Sequence, residues 1–519
     1  MRLKSVSKNN KSLHITLPSP IKGLNRRDNC ISMDVEYAMV MDNYLPLDTK
    51  VVLRSGYSKY VEFADPVETL VSYQSGPYLR FFAISGKKIW DITYASEKRV
   101  IAENGISSNR FYCSQYKNYL YFVNGIDTPK AFYVDGNGAE HIGSWDFSGD
   151  GLNAVNIINV GVSKQRLWFV EKDSLKVWYP QIAGNVSGTL HSFDLSQICR
   201  YGGHLVAVAD WTQDGGQGID DLTVFITSEG EVLVYSGSDI ENSDDWQLRG
   251  SYKISRPIGY ECCLQYQGDL VVITEDGYIP LSKALPLNQA NTAQIAFSDA
   301  IRGLILERTQ KYALRAGWQG VIYSRGGYAL FNVPVANSFE QHVINTSTGA
   351  WCRFTGIRSK CWQTFERRLY FGSDNAVYLF DEGYSDNGAP ICGVVEQAYS
   401  NLGTELLKKV QMLNPRTKSS APYSLVIYTN MDMEERDIDY IENIGYTGRR
   451  LWNTMKWSSL GDASGAKWSN SGRTTLRSQW IANSSTGYKA SIVFKTKTSG
   501  NQIEWYETGI RYETGNGML

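Results

Sequence analysis

Hydrophobic and polar positions alternate over short runs through most of the chain, and the runs come in pairs. An aromatic-rich stretch, a short polar or glycine turn, and a second aromatic stretch ending near Asp or Gly recur at Tyr78–Ile92, Tyr119–Gly136, Arg166–Tyr179 and Leu222–Gly237. Asp269–Ser282, Gly320–Val333 and Arg368–Asp381 are weaker copies. Period-two alternation broken by such turns predicts β-hairpins. Anchored on Leu79, Leu120, Leu167, Leu222, Leu270, Val321 and Leu369, the copies follow one another at 41 to 55 residues, close to the repeat length of four-stranded propeller blades. Leu167-Trp168-Phe169-Val170 is apolar on both faces, so it needs a neighbour on each side, which radial packing supplies. The pattern predicts an all-β chain with a β-propeller over residues 51–393. About seven blades are expected (six or eight also fit), with the axis packed and closed and Leu53–Phe63 supplying a strand that closes the ring. Strand spacing alone also fits a series of β-sandwiches.

Beyond Cys392 the pattern changes. Gly393–Met412 reads as a short helix or a strand pair, ended by Asn414-Pro415-Arg416 because proline cannot continue a ladder. Ser424–Asn430 reads as a strand, and Lys489–Lys497 and Ile503–Thr514 alternate as in a half-buried antiparallel sheet. Residues 394–519 are therefore expected to form a separate antiparallel β-rich platform domain. Residues 1–50 are expected to be an extended polar arm that joins it and orders only against a neighbour. One helix is predicted, Ser298–Ala313, with Ser298 or Asp299 as N-cap and Ile301, Leu304, Ile305 and Arg308 on one face. Trp452, Trp457, Trp468 and Trp480 suit either the core of a small β domain or a binding surface.

The 519 residues are 42% hydrophobic and 20% charged, an ordinary globular balance. Fifty-two basic against 53 acidic residues leave a net charge of −1, without the basic excess expected of a protein that grips nucleic acid by its phosphates. The N-terminus lacks the apolar core of a signal peptide, and no stretch approaches the ~18 apolar residues of a membrane helix. The eight cysteines have no C-x-x-C spacing and read as scattered buried thiols of a protein assembled in a cytoplasm. His141, His191, His204 and His342 stand singly and read as structural. Asp210, Asp214, Asp220 and Asp221 crowd a glycine-rich loop. Their density would suit calcium, but their spacing does not match an EF-hand, and turn geometry explains the same residues. Phosphate loops, G-x-S-x-G elbows and the S-x-D-x-G-x-x-W box of sialidases are absent. No cofactor, no metal and no catalytic activity are expected.

The phrase IKGLNRRDN at Ile21–Asn29, followed by MVMDNYLPLDTKVVLRSGYSKY at Met39–Tyr60, resembles the opening of tail nozzle proteins of short-tailed bacteriophages, also called head–tail stabilisation or tail tubular proteins. The block Arg200–Asp239 resembles propeller proteins of phages and prophages of Proteobacteria, and the end, KASIVFKTKTSGNQIEWYETGIRYETG, resembles their "YE-x-G" close. The resemblance spans nearly the whole chain and brings no catalytic residues. It implies a structural virion protein made in the host cytoplasm: a homohexameric ring at the end of the tail, below a tail adaptor and beside tail fibres or spikes. Genomic double-stranded DNA would pass through the ring without specific binding, during retention and ejection. Neither the arm nor residues 394–519 belong to the blade repeat, so both are expected at subunit or partner contacts, with Asn25, Arg26, Arg27 and Tyr44 as the residues named for that role. A receptor- or carbohydrate-binding propeller of the tail is the alternative.

Overall fold

A computed structural model describes residues 12–214, 219–284, 296–419, 423–434, 436, 438 and 475–515. The chain divides into two units. One holds the residues up to Ser58, Val343–Thr355 and those from Asp381 onward; the other holds Lys59–His342 and Gly356–Phe380.

The second unit is a β-propeller with seven blades. Blade one is built from Val67–Ser75, Tyr78–Ser85, Lys88–Asp91 and Arg99–Ala102, and blade two from Tyr112–Tyr116, Tyr119–Val123, Lys130–Val134 and Glu140–Ser144. Blade three runs Ile157–Ser163, Arg166–Glu171, Lys176–Pro180 and Gly188–Asp194, with Phe147–Gly149 added in parallel to its last strand. Blade four runs Leu205–Asp214, Ile219–Thr227, Glu231–Ser236 and Gln247–Lys253. Blade five has three strands, Cys263–Tyr266, Asp269–Thr274 and Gly277–Pro280. Blade six begins with Gln319–Tyr323, Tyr328–Val335 and Ser338–Asn345. Blade seven joins Cys361–Phe365, Arg368–Gly372 and Ala376–Phe380 to Tyr57–Glu62, the ring-closing strand expected within Leu53–Phe63. The first strands surround the axis, and that of blade seven returns to that of blade one.

Adjacent residues of the second strands serve opposite faces. Phe81 stacks on Phe365 of blade seven with ring centroids 4.7 Å apart, while Phe82 meets Phe132 of blade two at 4.8 Å. Phe169 packs edge-on against Trp145 at 4.7 Å, while Trp168 packs with Trp246 of blade four at 5.7 Å. Burying such a ring on each side contributes on the order of 1.5–3 kcal/mol per side chain, so the ring of blades is held by its interblade layers. Toward the axis the first strands nearly touch: a Cβ on Gly161 would lie 2.3 Å from the Val208 carbonyl oxygen.

One register differs from expectation. Six of the seven anchors fall on second strands, but Val321 lies on the first strand of blade six, and Leu330 is its true counterpart. The predicted helix precedes this blade, as a 3-10 turn Asp299–Ile301 continuing into Arg302–Tyr312. Its face buries Ile301, Leu304 and Ile305, and Arg308 pairs with Glu340 at 2.7 Å. Ser298 stands at the N-cap position of the 3-10 turn, as expected, but makes no capping bond there: its hydroxyl accepts from the Tyr278 amide at 3.0 Å, while Ile301 holds the cap position of the α-helical part.

The first unit carries two sheets. In one, Leu407–Ser419 pairs with Ile503–Gly515, which also pairs with Leu13–Pro18 and Val51–Leu53. In the other, Gly23–Leu24, Tyr37–Asp42, Ile391–Gln397, Ala490–Thr498 and Ser424–Met431 follow in order. Phe494 of the second sheet stacks on Trp505 of the first at 4.4 Å. The described part of residues 1–50 is thus no loose arm: from Leu13 on, its strands pair into both sheets, Gly23–Leu24 and Tyr37–Asp42 inside one, and Leu13–Pro18 and Tyr44–Pro46 along the edges of the other. Pro415 does not end a strand either. It sits opposite Thr508 within Leu407–Ser419, where the partner on the other side is interrupted between Ser478 and Ile481, so its missing N–H is tolerated. Trp452, Trp457 and Trp468 lie outside the described residues; Trp480 packs edge-on against His14 at 5.7 Å, with Arg511 over its ring.

Candidate functional site

The inner strands run from one face of the propeller toward the other, and at their starting ends the axis is not filled. A cavity of about 260 Å³ is lined by Tyr112 and Cys113 of blade two, Asn159 and Val160 of blade three, Ala207 and Val208 of blade four, Tyr260, Glu261 and Cys263 leading into blade five, and Gln319 and Gly320 of blade six. The axis is therefore not packed throughout as the sequence suggests.

Glu261 is the group with chemical potential here. Burial pushes its carboxyl up to about 7, against a partial opposing pull from the Arg110 guanidinium. Among the described residues it forms no hydrogen bond and no ion pair within 4 Å. Tyr112 and Tyr260 meet edge to face at 5.4 Å, and Asn159 donates to the Tyr260 carbonyl at 2.9 Å, fixing that wall. Burial holds the Tyr112 phenol and the Cys113 thiol well above their ordinary ranges. A hydrogen bond with Cys262, followed by burial, does the same for Cys263; the two sulfurs are 3.9 Å apart. These thiols are therefore protonated and weakly nucleophilic. Arg110, Glu261 and Glu68 all act on the Cys361 thiol of blade seven, which burial pushes up to about 12. Glu261 carries no sequence motif; its one cue is a carboxylate at the entry to an inner strand, which becomes visible only once the blade register is known.

The residues named from sequence are placed differently. Tyr44 is wholly buried, its hydroxyl 2.7 Å from Thr496 Oγ1 and its ring edge-on to Phe494. Asn25 is buried as well; its side-chain oxygen accepts from the amides of Arg27 and Asp28, both at 3.0 Å, holding a turn. Arg27 is exposed and forms a forked pair with Asp28 at 2.8 and 2.9 Å. Arg26 is exposed and has no ion pair among the described residues. Of the four, Tyr44 and Asn25 serve the interior of their own unit, while Arg26 and Arg27 are exposed.

The rest of the resembling phrase is equally engaged. Arg54, almost fully buried, pairs in a fork with Asp386 at 2.8 and 2.7 Å and donates to Asn43 Oδ1 at 2.8 Å. Asn43 in turn donates to the Cys392 carbonyl at 2.8 Å, and Asp42 takes a fork from Arg353 with both contacts at 2.7 Å. A Cβ on Gly56 would lie 2.0 Å from the Ser385 carbonyl oxygen.

Of the acidic loop, the side chains of Asp214 and Asp220 lie outside the described residues. Asp210 accepts from Ser163 at 2.7 Å, and Asp221 from Thr212 at 3.0 Å. Burial, and then the Asp221 charge, raise the Asp210 carboxyl. Among the described residues no group of three or more His, Cys, Asp or Glu could hold a metal ion, and no helix is long and apolar enough to cross a membrane. All eight cysteines are free; Cys262, Cys352 and Cys361 are buried as expected, Cys30, Cys113, Cys199 and Cys263 are half-buried, and Cys392 is exposed. His342 is buried between Tyr278 (2.8 Å) and Glu340 (3.1 Å).

No family model matches the chain, and no curated protein does. Among solved structures it is similar to a candidate 6-phosphogluconolactonase from Bacteroides fragilis, at 13% identity and a TM-score of 0.35, over 59% of this chain and 88% of that one.

Proposed function

We propose that this chain is a structural, non-enzymatic component of the tail of a short-tailed phage: a tail nozzle subunit that forms a ring, conducts and retains DNA, and joins the tail adaptor to the distal tail parts. The observation that carries the reading is the engagement of the resembling phrase. Asp42, Asn43, Tyr44, Arg54 and Gly56 are spent on ion pairs, hydrogen bonds and close approaches that weave the N-terminal segment into the same unit as the C-terminal strands. A phrase so occupied specifies architecture rather than chemistry. The test is to tag the C-terminus, recover particles, and locate the tag by electron microscopy while measuring the mass of the purified chain by light scattering. Tag at the tail end and six-fold rings, alone or with the adaptor, are expected. A protein absent from particles, or a monomer that binds glycans, would overturn the reading.

A further inference from the structure

We propose that the axial cavity of the propeller is a binding site for a small alkylammonium cation, held by the Glu261 carboxylate against the Tyr112 and Tyr260 rings. The cavity's roughly 260 Å³ far exceeds the ~30 Å³ share of one water molecule, so it admits an amine of a few carbons. Its polar resources are unspent: Glu261 has no partner among the described residues, and neither tyrosine hydroxyl forms a described hydrogen bond. An unpartnered carboxylate beside two aromatic rings meets the two requirements of an organic cation, a counter-charge and a π face within about 6 Å. Val160, Ala207 and Val208 supply apolar wall for the alkyl part.

The surrounding charges favour the same sign of ligand. Among the lining residues Glu261 is the one acidic side chain and there is no Lys, Arg or His; Arg110, whose charge pulls on Glu261, is not among them. The lining thiols Cys113 and Cys263 and the phenol of Tyr112 are held protonated, which leaves Glu261 as the group that titrates near neutrality. An anion would meet that carboxylate without a lining cation to offset it.

The test uses the full-length chain with n-butylammonium as probe and n-butanol as its neutral counterpart, followed by calorimetric titration at pH 6 and pH 8. Because Glu261 titrates near 7, affinity for the amine should rise about tenfold between these pH values; an exposed carboxylate, ionised throughout, would give a flat profile. E261Q should weaken binding at least tenfold while still unfolding cooperatively. Tyr112→Leu should weaken it several-fold and keep the pH dependence. Equal binding of butanol, undiminished binding by E261Q, or an affinity independent of pH would each overturn the assignment.

Discussion

Glu261 loses stability for the fold each time it loses its proton. Its carboxyl titrates near 7 in the folded chain against an ordinary 4.5, so the folded state binds the proton more tightly than the unfolded one. The penalty is absent below about pH 4.5, grows through the interval, and is complete above 7. Glu261→Gln should therefore match the parent at pH 4 and gain up to ~3 kcal/mol at pH 8, read by urea unfolding at both pH values; an equal difference at both would remove the burial argument. Arg54 and Asp386 illustrate the opposite case, two charges buried together. Removing either alone, as Arg54→Ala or Asp386→Ala, should cost roughly 3–5 kcal/mol by stranding the other. The double variant Arg54→Met/Asp386→Leu should lie closer to the parent than either single change, and a double that sums the two losses would contradict this. Neither position was legible as what it is. Tyr44 and Asn25 stand out in sequence as parts of a phrase, and a phrase cannot tell an exposed contact from a buried one.

The blades were the readable elements, because each is a local hairpin whose period-two pattern sits within a few tens of residues. The slip at Val321 has a physical cause: a first-to-second hairpin and a second-to-third hairpin show the same aromatic–turn–aromatic pattern, and the helical insertion ahead of blade six removes the spacing cue. Long-range pairing was harder. Leu13–Pro18 against Ile503–Gly515 leaves no local trace, so a strand read as a polar arm. Deleting residues 1–30 should consequently lower the calorimetric transition of the N- and C-terminal unit while leaving that of the propeller in place; a single unchanged transition would return the segment to the status of a free arm. The closing strand was legible, and its energetic weight can be tested. Val61, buried in the layer between blades seven and one, belongs to a strand some 300 residues from its partner in blade seven. Val61→Ala should cost about as much as Val377→Ala in that partner strand, roughly 1–3 kcal/mol by loss of buried methyl groups. Near-zero cost at Val61 alone would mean that the ring is closed without it.

For the molecule as a whole, the propeller axis is no route for duplex DNA. The first strands come close enough that Gly161 has no room for a Cβ, and the space that remains is a cavity of about 260 Å³, while the major groove of a duplex alone is ~12 Å wide. If this chain conducts DNA, the passage must be enclosed by several copies, and the contacts between copies or with an adaptor must come from surface that each chain does not use on itself. The net charge of −1 provides no general attraction for phosphate, so such contacts rest on local charge. In the turn 25–28, Arg27 is committed to Asp28 while Arg26 is exposed and has no ion pair among the described residues. The two therefore separate assembly from folding. Arg26→Glu should leave unfolding within about 0.5 kcal/mol of the parent, as expected of an exposed side chain without partners, yet weaken ring formation or adaptor capture. The deficit should be largest at 50 mM salt and shrink toward 300 mM as the Debye length falls. Arg27→Glu should instead disturb the turn itself, by placing a carboxylate beside Asp28. Light scattering and adaptor pull-down at the two salt concentrations give the readout. Assembly by Arg26→Glu that equals the parent at low salt would remove this turn from the interface and leave the subunit contact to other surface.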